Sequence, residues 1–168
     1  MIVASHILAA TNFSDTSARA VTVAGELARR LNSKLTLLSI HGYPPEPPEA
    51  YVPHERLYLK GDMDADSMDR LEMLRSDEFS DLEGVVLAVA MDGHPSHAIY
   101  DYATKHMVDL IVIGSHKRTG LAHFFRGGIA EQVVKHAPCP VHIVPYCETD
   151  SSGEVMGENL VVHQGTPG

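Results

Sequence analysis

The fold of this chain is most constrained by a regular alternation of short apolar runs with longer amphipathic segments. Each apolar run has the length of a buried strand, and each amphipathic segment repeats its apolar residues at helical spacing. Strands that alternate with helices form a parallel sheet with helices on both faces. The predicted strands are Ile7–Ala10, Lys34–Ile40, Val85–Met91, Asp109–Ile113 and Val141–Val144. The predicted helices are Ser14–Leu31, Asp64–Leu82, a segment that begins at Pro95, and Gly128–His136.

The first predicted helix has the clearest start and end. Ser14 is suited to cap its N-terminus, and Asp15 places a negative charge near the positive end of the helix dipole. The pair Asn32-Ser33 ends the helix. Its predicted inward face consists of Val21, Ala24, Leu27, Ala28 and Leu31.

The region after the second strand is less regular. Gly42–Asp62 is rich in proline and is predicted to be a long irregular stretch, a kind of loop that is usually functional or mobile. The helix predicted after it is weaker, because its apolar residues are few. Met68, Leu71, Phe79 and Leu82 form its expected apolar side.

Composition and charge exclude several classes of protein. The chain has 168 residues, about one domain, and a formal net charge of −9, which disfavours nucleic acid and anionic membranes as partners. No apolar run reaches the length of about 18 residues that a membrane span needs, and the N-terminus does not resemble a signal peptide. Cys139 and Cys147 give no disulfide framework. We therefore expect a cytoplasmic protein.

The C-terminal segment differs in charge from the rest of the chain. It carries Glu148, Asp150, Glu154 and Glu158 and has no lysine or arginine. We therefore divide the chain into a domain at residues 1–146 and an acidic tail at residues 147–168. The tail is expected to be flexible or to extend the sheet, since Asn159–His163 could add an edge strand.

The loop Gly114–Gly128 carries the clearest functional signal. Its glycines permit sharp turns and close approach of a ligand, and Gly127-Gly128 precedes a helix N-terminus that attracts anions. Between Leu110 and Cys147 the single acid Glu131 stands against Lys117, Arg118, Arg126 and Lys135. Phosphate binding is one reading of this pattern. Turn-forming glycines and a solvated basic face are the other.

Ligands of parallel sheets bind at the carboxyl ends of the strands, where the strand order reverses. The expected reversal lies between the first and fourth strands, so the two loops that meet there are Ala10–Ser14 and Gly114–Gly128. Both loops are therefore candidate parts of one site.

Several segments in the right order resemble the universal stress protein family. They are the opening ILAATNFSDTSARAV, the central DGHPSHAIYDYATKHMVDLIVIGSH, the closing HAPCPVHIVP, and the glycine loop, which is similar to the family signature G-x2-G-x9-G-[ST]. The resemblance implies an α/β fold, Rossmann-like and adenine nucleotide alpha hydrolase-like, with a five-stranded parallel sheet of order 3-2-1-4-5 and helices on both faces. It also implies a homodimer paired through Val141–Val144.

The resemblance further implies a site for ATP or AMP, with Mg²⁺ present only beside a bound nucleotide. The residues that would form it are Ala10, Thr11, Asn12, Ile40, Gly114, Ser115, His116, Lys117, Gly127, Gly128, Ile129 and Ala130. Three positions depart from the family pattern. Lys117 replaces a glycine, Gly128 replaces Ser or Thr, and Asn12 replaces an aspartate that would accept hydrogen bonds from a ribose.

Two functions therefore stay open at the level of sequence. One is a dimeric stress-response regulator that binds an adenine nucleotide. The other is a nucleotide-free dimer, similar to universal stress protein A, that acts through protein partners.

Catalytic and metal sites are not expected. The chain has 11 histidines, but their spacing matches no zinc pattern. Neither a G-x-S-x-G elbow nor a Walker sequence is present, so we predict a protein that is not an enzyme, with weak ATP hydrolysis as the exception left open. Cys139 lies between two prolines and is expected to be buried or at an interface.

Overall fold

Strands and helices alternate along the chain as the apolar pattern predicts. The computed structural model describes residues 4–41, 53–91, 94–116, 128–146 and 160–162. Its strands are β1 His6–Thr11, β2 Lys34–His41, β3 Val86–Met91, β4 Leu110–His116, β5 Val141–Tyr146 and β6 Leu160–Val162. Its helices are α1 Asp15–Leu31, α2 Pro53–Glu78, α3 Pro95–Lys105 and α4 Ile129–His136. No helix within these ranges is both long and apolar enough to cross a membrane.

The strands form one sheet of order β3-β2-β1-β4-β5-β6. Strands β1 to β5 run parallel in the predicted order 3-2-1-4-5, which is confirmed, and β6 pairs antiparallel with β5. β1 pairs with β2 on one side and β4 on the other, so the order reverses between β1 and β4 as expected. β6 lies inside the segment Asn159–His163, where an edge strand was one of two expectations.

Each face of the sheet is covered by its own apolar core. On one face, α1 contributes Val21 and Ala24, while Leu71 of α2 packs against the same strands. On the other face, α3 contributes Ile99 and α4 contributes Val133. Every residue of β1 is buried, because both faces of the sheet are covered. This explains why its apolar residues follow one another directly instead of alternating with polar ones.

α1 begins and ends where the sequence predicts. Ser14 is the N-cap, and its hydroxyl accepts a hydrogen bond from the N–H of Ser17. Asn32 closes the helix in the left-handed conformation at φ 53°, which asparagine tolerates better than most residues. The inward face is confirmed at Val21, but Leu31 is 43% exposed because it is the last residue of the helix.

α2 corrects the prediction for the region after β2. It begins at Pro53, so the second half of the stretch predicted to be irregular, Gly42–Asp62, is helical instead. Proline is tolerated at the first position of a helix, since that N–H has no partner within the helix. The residues before Pro53 in that stretch lie outside the described ranges.

α2 also ends earlier than predicted, at Glu78. Phe79 follows the helix and is 2% exposed, whereas Met68, expected to face inward, is 37% exposed. The ring of Phe79 lies against Gly25 of α1, where a Cβ would overlap it. The tertiary contact, rather than helical spacing, therefore explains why Phe79 is apolar.

Candidate functional site

The carboxyl ends of the parallel strands bring most of the predicted site residues to one edge of the sheet. β1 ends in Ala10 and Thr11, followed by Asn12, β2 contributes Ile40 near its end, and β4 ends in Gly114, Ser115 and His116. α4 starts at the same edge with Gly128, Ile129 and Ala130. Lys117 and Gly127, which were also predicted, lie outside the described residues. The two loops expected to form one site therefore do begin beside each other.

The turn between β1 and α1 holds a strained residue. Phe13 has φ 61°, the left-handed conformation that a bulky side chain rarely adopts. Two contacts hold it there: its N–H donates to Thr11 Oγ1 at 3.0 Å, and the guanidinium of Arg70 lies 4.0 Å from its ring centroid. Strain of this kind costs about 1–3 kcal/mol and concentrates at functional sites. Sequence reasoning missed Arg70, because only the fold brings α2 to this turn.

Asn12 presents hydrogen-bond donors to solvent. Its Oδ1 accepts from the backbone N–H of Ser14 at 3.2 Å and from the Ser14 hydroxyl at 2.7 Å. Because a backbone N–H can only donate, the oxygen must face Ser14 and the NH₂ group must face outward. That NH₂ group makes no hydrogen bond to the described part of the chain. An aspartate here would instead present a charged acceptor.

Hydroxyl groups line the base of the same turn. Thr11 Oγ1 lies 3.2 Å from Ser17 Oγ, and Ser17 Oγ donates to the carbonyl of Ser14. Ser39, which pairs with Thr11 in the sheet, is buried, and within the described ranges its hydroxyl has no hydrogen-bond partner. An unpaired buried hydroxyl is costly, so the carboxyl edge carries polar capacity that the described chain does not use.

Gly114 has a structural role that the sequence did not reveal. A Cβ at this position would overlap the backbone carbonyl of Thr16, in the first turn of α1. Gly114 therefore lets α1 approach the end of β4, independently of any ligand. Packing alone therefore explains why residue 114 is a glycine.

Gly128, unlike Gly114, is not required by packing within the described chain. It is the N-cap of α4, its φ of −74° and ψ of 163° suit any residue, and no side chain caps the helix there. A Cβ at Gly128 would meet no atom of the described chain within 4 Å. Ile129, the first residue of α4, is 48% exposed. The first N–H groups of a helix lack partners within it, so this end of α4 is open to an anion.

The local charge is less positive than the sequence suggests. Lys135 Nζ lies 2.6 Å from Glu131 Oε1, and Glu131 is 8% exposed. This pair neutralises the one cation of the basic loop region that belongs to α4. Lys117, Arg118 and Arg126 lie outside the described residues.

Potential metal ligands and nucleophiles also occur elsewhere in the part of the chain that the structure describes. No group of three or more His, Cys, Asp and Glu side chains is placed to hold a metal there. Burial raises the pKa of the Cys139 thiol to about 11, so this thiol is protonated and a poor nucleophile at neutral pH. Nδ1 of His136 lies 2.9 Å from the carbonyl of Gln132, one turn back in its own helix.

A second polar cluster, which sequence reasoning missed, lies at the amino edge of the sheet. Asp109 Oδ2 accepts from the hydroxyl of Ser5 at 2.6 Å and from the backbone N–H groups of Ser5 and His6 at 2.9 Å each. The hydrogen bond from the Ser5 hydroxyl is the largest cause that lowers the pKa of Asp109. The ring of His6 lies between Thr36 Oγ1, at 2.8 Å, and the carbonyl of His106, at 3.2 Å.

Comparison with known proteins shows which family this chain is similar to. The sequence profile of the universal stress protein family matches residues 4–145. A universal stress protein of Thermus aquaticus is 33% identical over 140 residues, which cover 82% of this chain and 96% of that protein. The solved structure of universal stress protein UspA from Lactobacillus plantarum superposes with a TM-score of 0.69 at 26% identity, covering 83% of this chain and 96% of that one.

Two further solved structures share the fold at lower identity. One is a universal stress protein in complex with cAMP, with a TM-score of 0.57 and 20% identity, covering 85% of this chain and 98% of that one. The other is the universal stress protein from Archaeoglobus fulgidus in complex with dAMP, with a TM-score of 0.54 and 19% identity and the same coverage, 85% and 98%.

Proposed function

This chain belongs to the universal stress protein family, and we propose that it binds an adenine nucleotide, ATP or AMP, at the carboxyl edge of its sheet. In this proposal it is a cytoplasmic stress-response regulator rather than an enzyme. Mg²⁺ would enter only with the phosphates of a bound nucleotide.

The observation that carries the proposal is the uncapped N-terminus of α4. Gly128 has no side chain with which to cap α4, and a Cβ at this position would meet no atom of the described chain within 4 Å. Free N–H groups and the helix dipole both favour a phosphate at such a position. The residues present therefore fit a phosphate, although Gly128 lacks the hydroxyl that the family signature places there.

The opposite wall of the site suits the rest of a nucleotide. Asn12 directs two N–H donors outward, and Ile40 at the end of β2 is half-buried beside the second apolar core. A ligand with acceptor oxygens and an apolar ring would match these groups. The cAMP and dAMP complexes of structurally similar family members support the adenine nucleotide as the ligand class.

Two substitutions at Gly128 test the phosphate subsite. Gly128→Asn and Gly128→Asp have nearly the same shape and both cap helices well, so both should leave the fold intact. Only the aspartate repels a phosphate, so titration calorimetry with AMP and ATP should show at least tenfold weaker binding for Gly128→Asp than for Gly128→Asn. The absence of saturable heat from the wild-type chain at millimolar nucleotide would refute the proposal.

A second candidate function is a nucleotide-free regulator that acts through protein partners. It is favoured by Asn12, which replaces the aspartate of the family pattern, and by the Glu131–Lys135 pair, which removes a cation from the site. One observation distinguishes the two functions. Purified protein that releases an adenine nucleotide on denaturation supports the first function and contradicts the second.

Catalysis is tested separately from binding. We expect no turnover of ATP with Mg²⁺, because no group of three or more His, Cys, Asp and Glu side chains in the described chain could hold the metal ion. Steady release of phosphate above the rate of a Gly128→Asp control would show that the weak hydrolysis left open by the sequence does occur.

A further inference from the structure

The outer edge of β5 is the feature from which this inference starts. The N–H of Ile111 in β4 donates to the carbonyl of Pro140 at 3.0 Å, and Ile111 pairs with Val141. In a parallel pair the backbone groups of Pro140 and His142 therefore face β4. Since the direction alternates along a strand, Val141, Ile143 and Pro145 direct their backbone groups away from β4.

β6 pairs with this outer edge. Val141 pairs with Val162 and Ile143 pairs with Leu160, in antiparallel register. Residues whose backbone groups face each other across an antiparallel pair exchange two hydrogen bonds, so the two pairs give four. The next outward residue is Pro145, which has no N–H to donate. Once β6 is in place, the described part of β5 keeps only the Pro145 carbonyl for a further strand.

A second copy of this chain is the natural competitor for the same edge. A strand identical to β5, turned antiparallel about a two-fold axis, would pair Val141 with Ile143 of the copy and Ile143 with Val141. That arrangement also gives four backbone hydrogen bonds, because the outward groups of both strands have the same two-residue spacing. β6 and a second copy therefore offer β5 the same number of bonds and cannot use it together.

The covalent connection favours β6. Residues 147–159 tether β6 to the end of β5, and a tethered segment acts at an effective concentration on the order of millimolar. A second copy in solution at micromolar concentration competes at a large disadvantage, unless surfaces beyond the strands add to its affinity. An uncovered β5, by contrast, would present an apolar strand with free backbone groups, the usual template for strand pairing.

We propose that β6 occupies the edge of β5 and prevents the chain from pairing with a second copy through that strand, so that removal of β6 produces a dimer. The homodimer expected from the sequence, through Val141–Val144, then requires that β6 first leave the edge. β6 is, in this view, the element that sets the oligomeric state.

Proline substitutions in the full chain test this directly. Leu160 and Val162 direct their N–H groups towards β5, whereas Val161 between them directs its N–H away. The double substitution Leu160→Pro with Val162→Pro should release β6, and Val161→Pro is the matched control that keeps both donors. Molar mass by light scattering, measured from micromolar to near-millimolar concentration, should show monomers for the wild type and control. The double variant should form a dimer, with a self-association affinity at least tenfold higher than that of the wild type.

Hydrogen exchange gives an independent reading at the edge itself. The amides of Val141 and Ile143 should be protected in the wild-type monomer, exposed in the double variant when dilute, and protected again when the double variant is concentrated.

Three results would each overturn the proposal: a wild-type dimer at the lowest concentration, fast exchange of these amides in the wild-type monomer, or a double variant that stays monomeric. If the double variant fails to fold, a chain ending at Tyr146 replaces it with the same expectations. None of these measurements uses nucleotide, so their outcome is separate from the test of nucleotide binding.

Discussion

The two edges of the parallel sheet differ in whether their polar groups have hydrogen-bond partners. At the amino edge, Asp109 receives three hydrogen bonds and the ring of His6 has a partner for each nitrogen. At the carboxyl edge, the NH₂ group of Asn12 and the hydroxyl of Ser39 have no such partners in the described chain, and Gly128 gives α4 no side-chain cap. Paired polar groups stabilise a fold, whereas unpaired donors gain most from a ligand. The comparison therefore assigns stability to the amino edge and supports the binding proposed for the carboxyl edge.

Gly114 offers the strongest way to break this comparison, because it lies at the carboxyl edge and yet should control stability. Gly114→Ala would force a Cβ against the backbone carbonyl of Thr16, and overpacking of this kind costs about 2–3 kcal/mol of unfolding free energy. Gly128→Ser, at the other end of the loop, meets open space in the described chain and should change stability by less than about 0.5 kcal/mol. Urea unfolding of both variants measures the difference, and equal losses would contradict the packing role of Gly114.

Asp109 tests the amino edge. Asp109→Asn removes the charge that receives hydrogen bonds from Ser5 and His6, and we expect a loss of about 1–2 kcal/mol in unfolding free energy. Asp101→Asn, an exposed position on α3, should stay within about 0.5 kcal/mol of wild type. Nucleotide affinity of folded Asp109→Asn should match wild type. A variant that keeps its stability but loses nucleotide binding would reverse the comparison.

His6 makes the stability of the amino edge depend on pH. Burial lowers the pKa of His6 from its usual value near 6.5, and burial lowers that of His142 in the same direction. A lowered histidine pKa means that the unfolded chain binds more protons, so stability is fully present above pH 6.5 and falls as the pH drops below it. Unfolding free energies measured at pH 7.5 and 5.5 should differ in that direction, and His6→Gln should reduce the difference. A slope unchanged in His6→Gln would argue against its contribution.

The smallest expected effect is at Asn12. Asn12→Asp keeps the acceptor for Ser14 and should change stability by less than about 0.5 kcal/mol. The substitution restores the acceptor that the family pattern places beside a ribose, so nucleotide affinity should rise by about two- to fivefold. Asn32→Asp makes the same charge change at the C-terminus of α1, at the opposite edge, and serves as the control for calorimetry. Equal effects of the two substitutions would mean that Asn12 does not face the ligand.

The alternation of strands and helices could be predicted because it follows from local apolar patterns, whereas the order of the strands came from the resemblance to the family. Apolar runs and helical spacing gave the alternation, and the reversal between β1 and β4 then placed Asn12 and Gly114 at one edge. The C-terminal end of α2 could not be predicted. The spacing of Phe79 from the apolar residues before it fits a helix, and only its contact with Gly25 shows why it is apolar although it follows the helix.

The roles of individual residues depended on contacts far apart in sequence. Ser5 and Asp109 meet only when β1 and β4 pair, and Gly114 meets Thr16 only when α1 folds back across the sheet. No spacing rule connects such residues. The functional role of the glycine loop therefore stays a prediction, while the structural reason for its first glycine came from the fold.

The contact between Gly25 and Phe79 has an evolutionary consequence. The ring fills the space where any side chain at residue 25 would begin, so neither position can change freely while the other stays. Among relatives of this chain we expect the two positions to covary, with a smaller residue at 79 wherever residue 25 is not glycine. A pair of this kind would mark how α1 and the segment after α2 have been fitted to each other during divergence of the family.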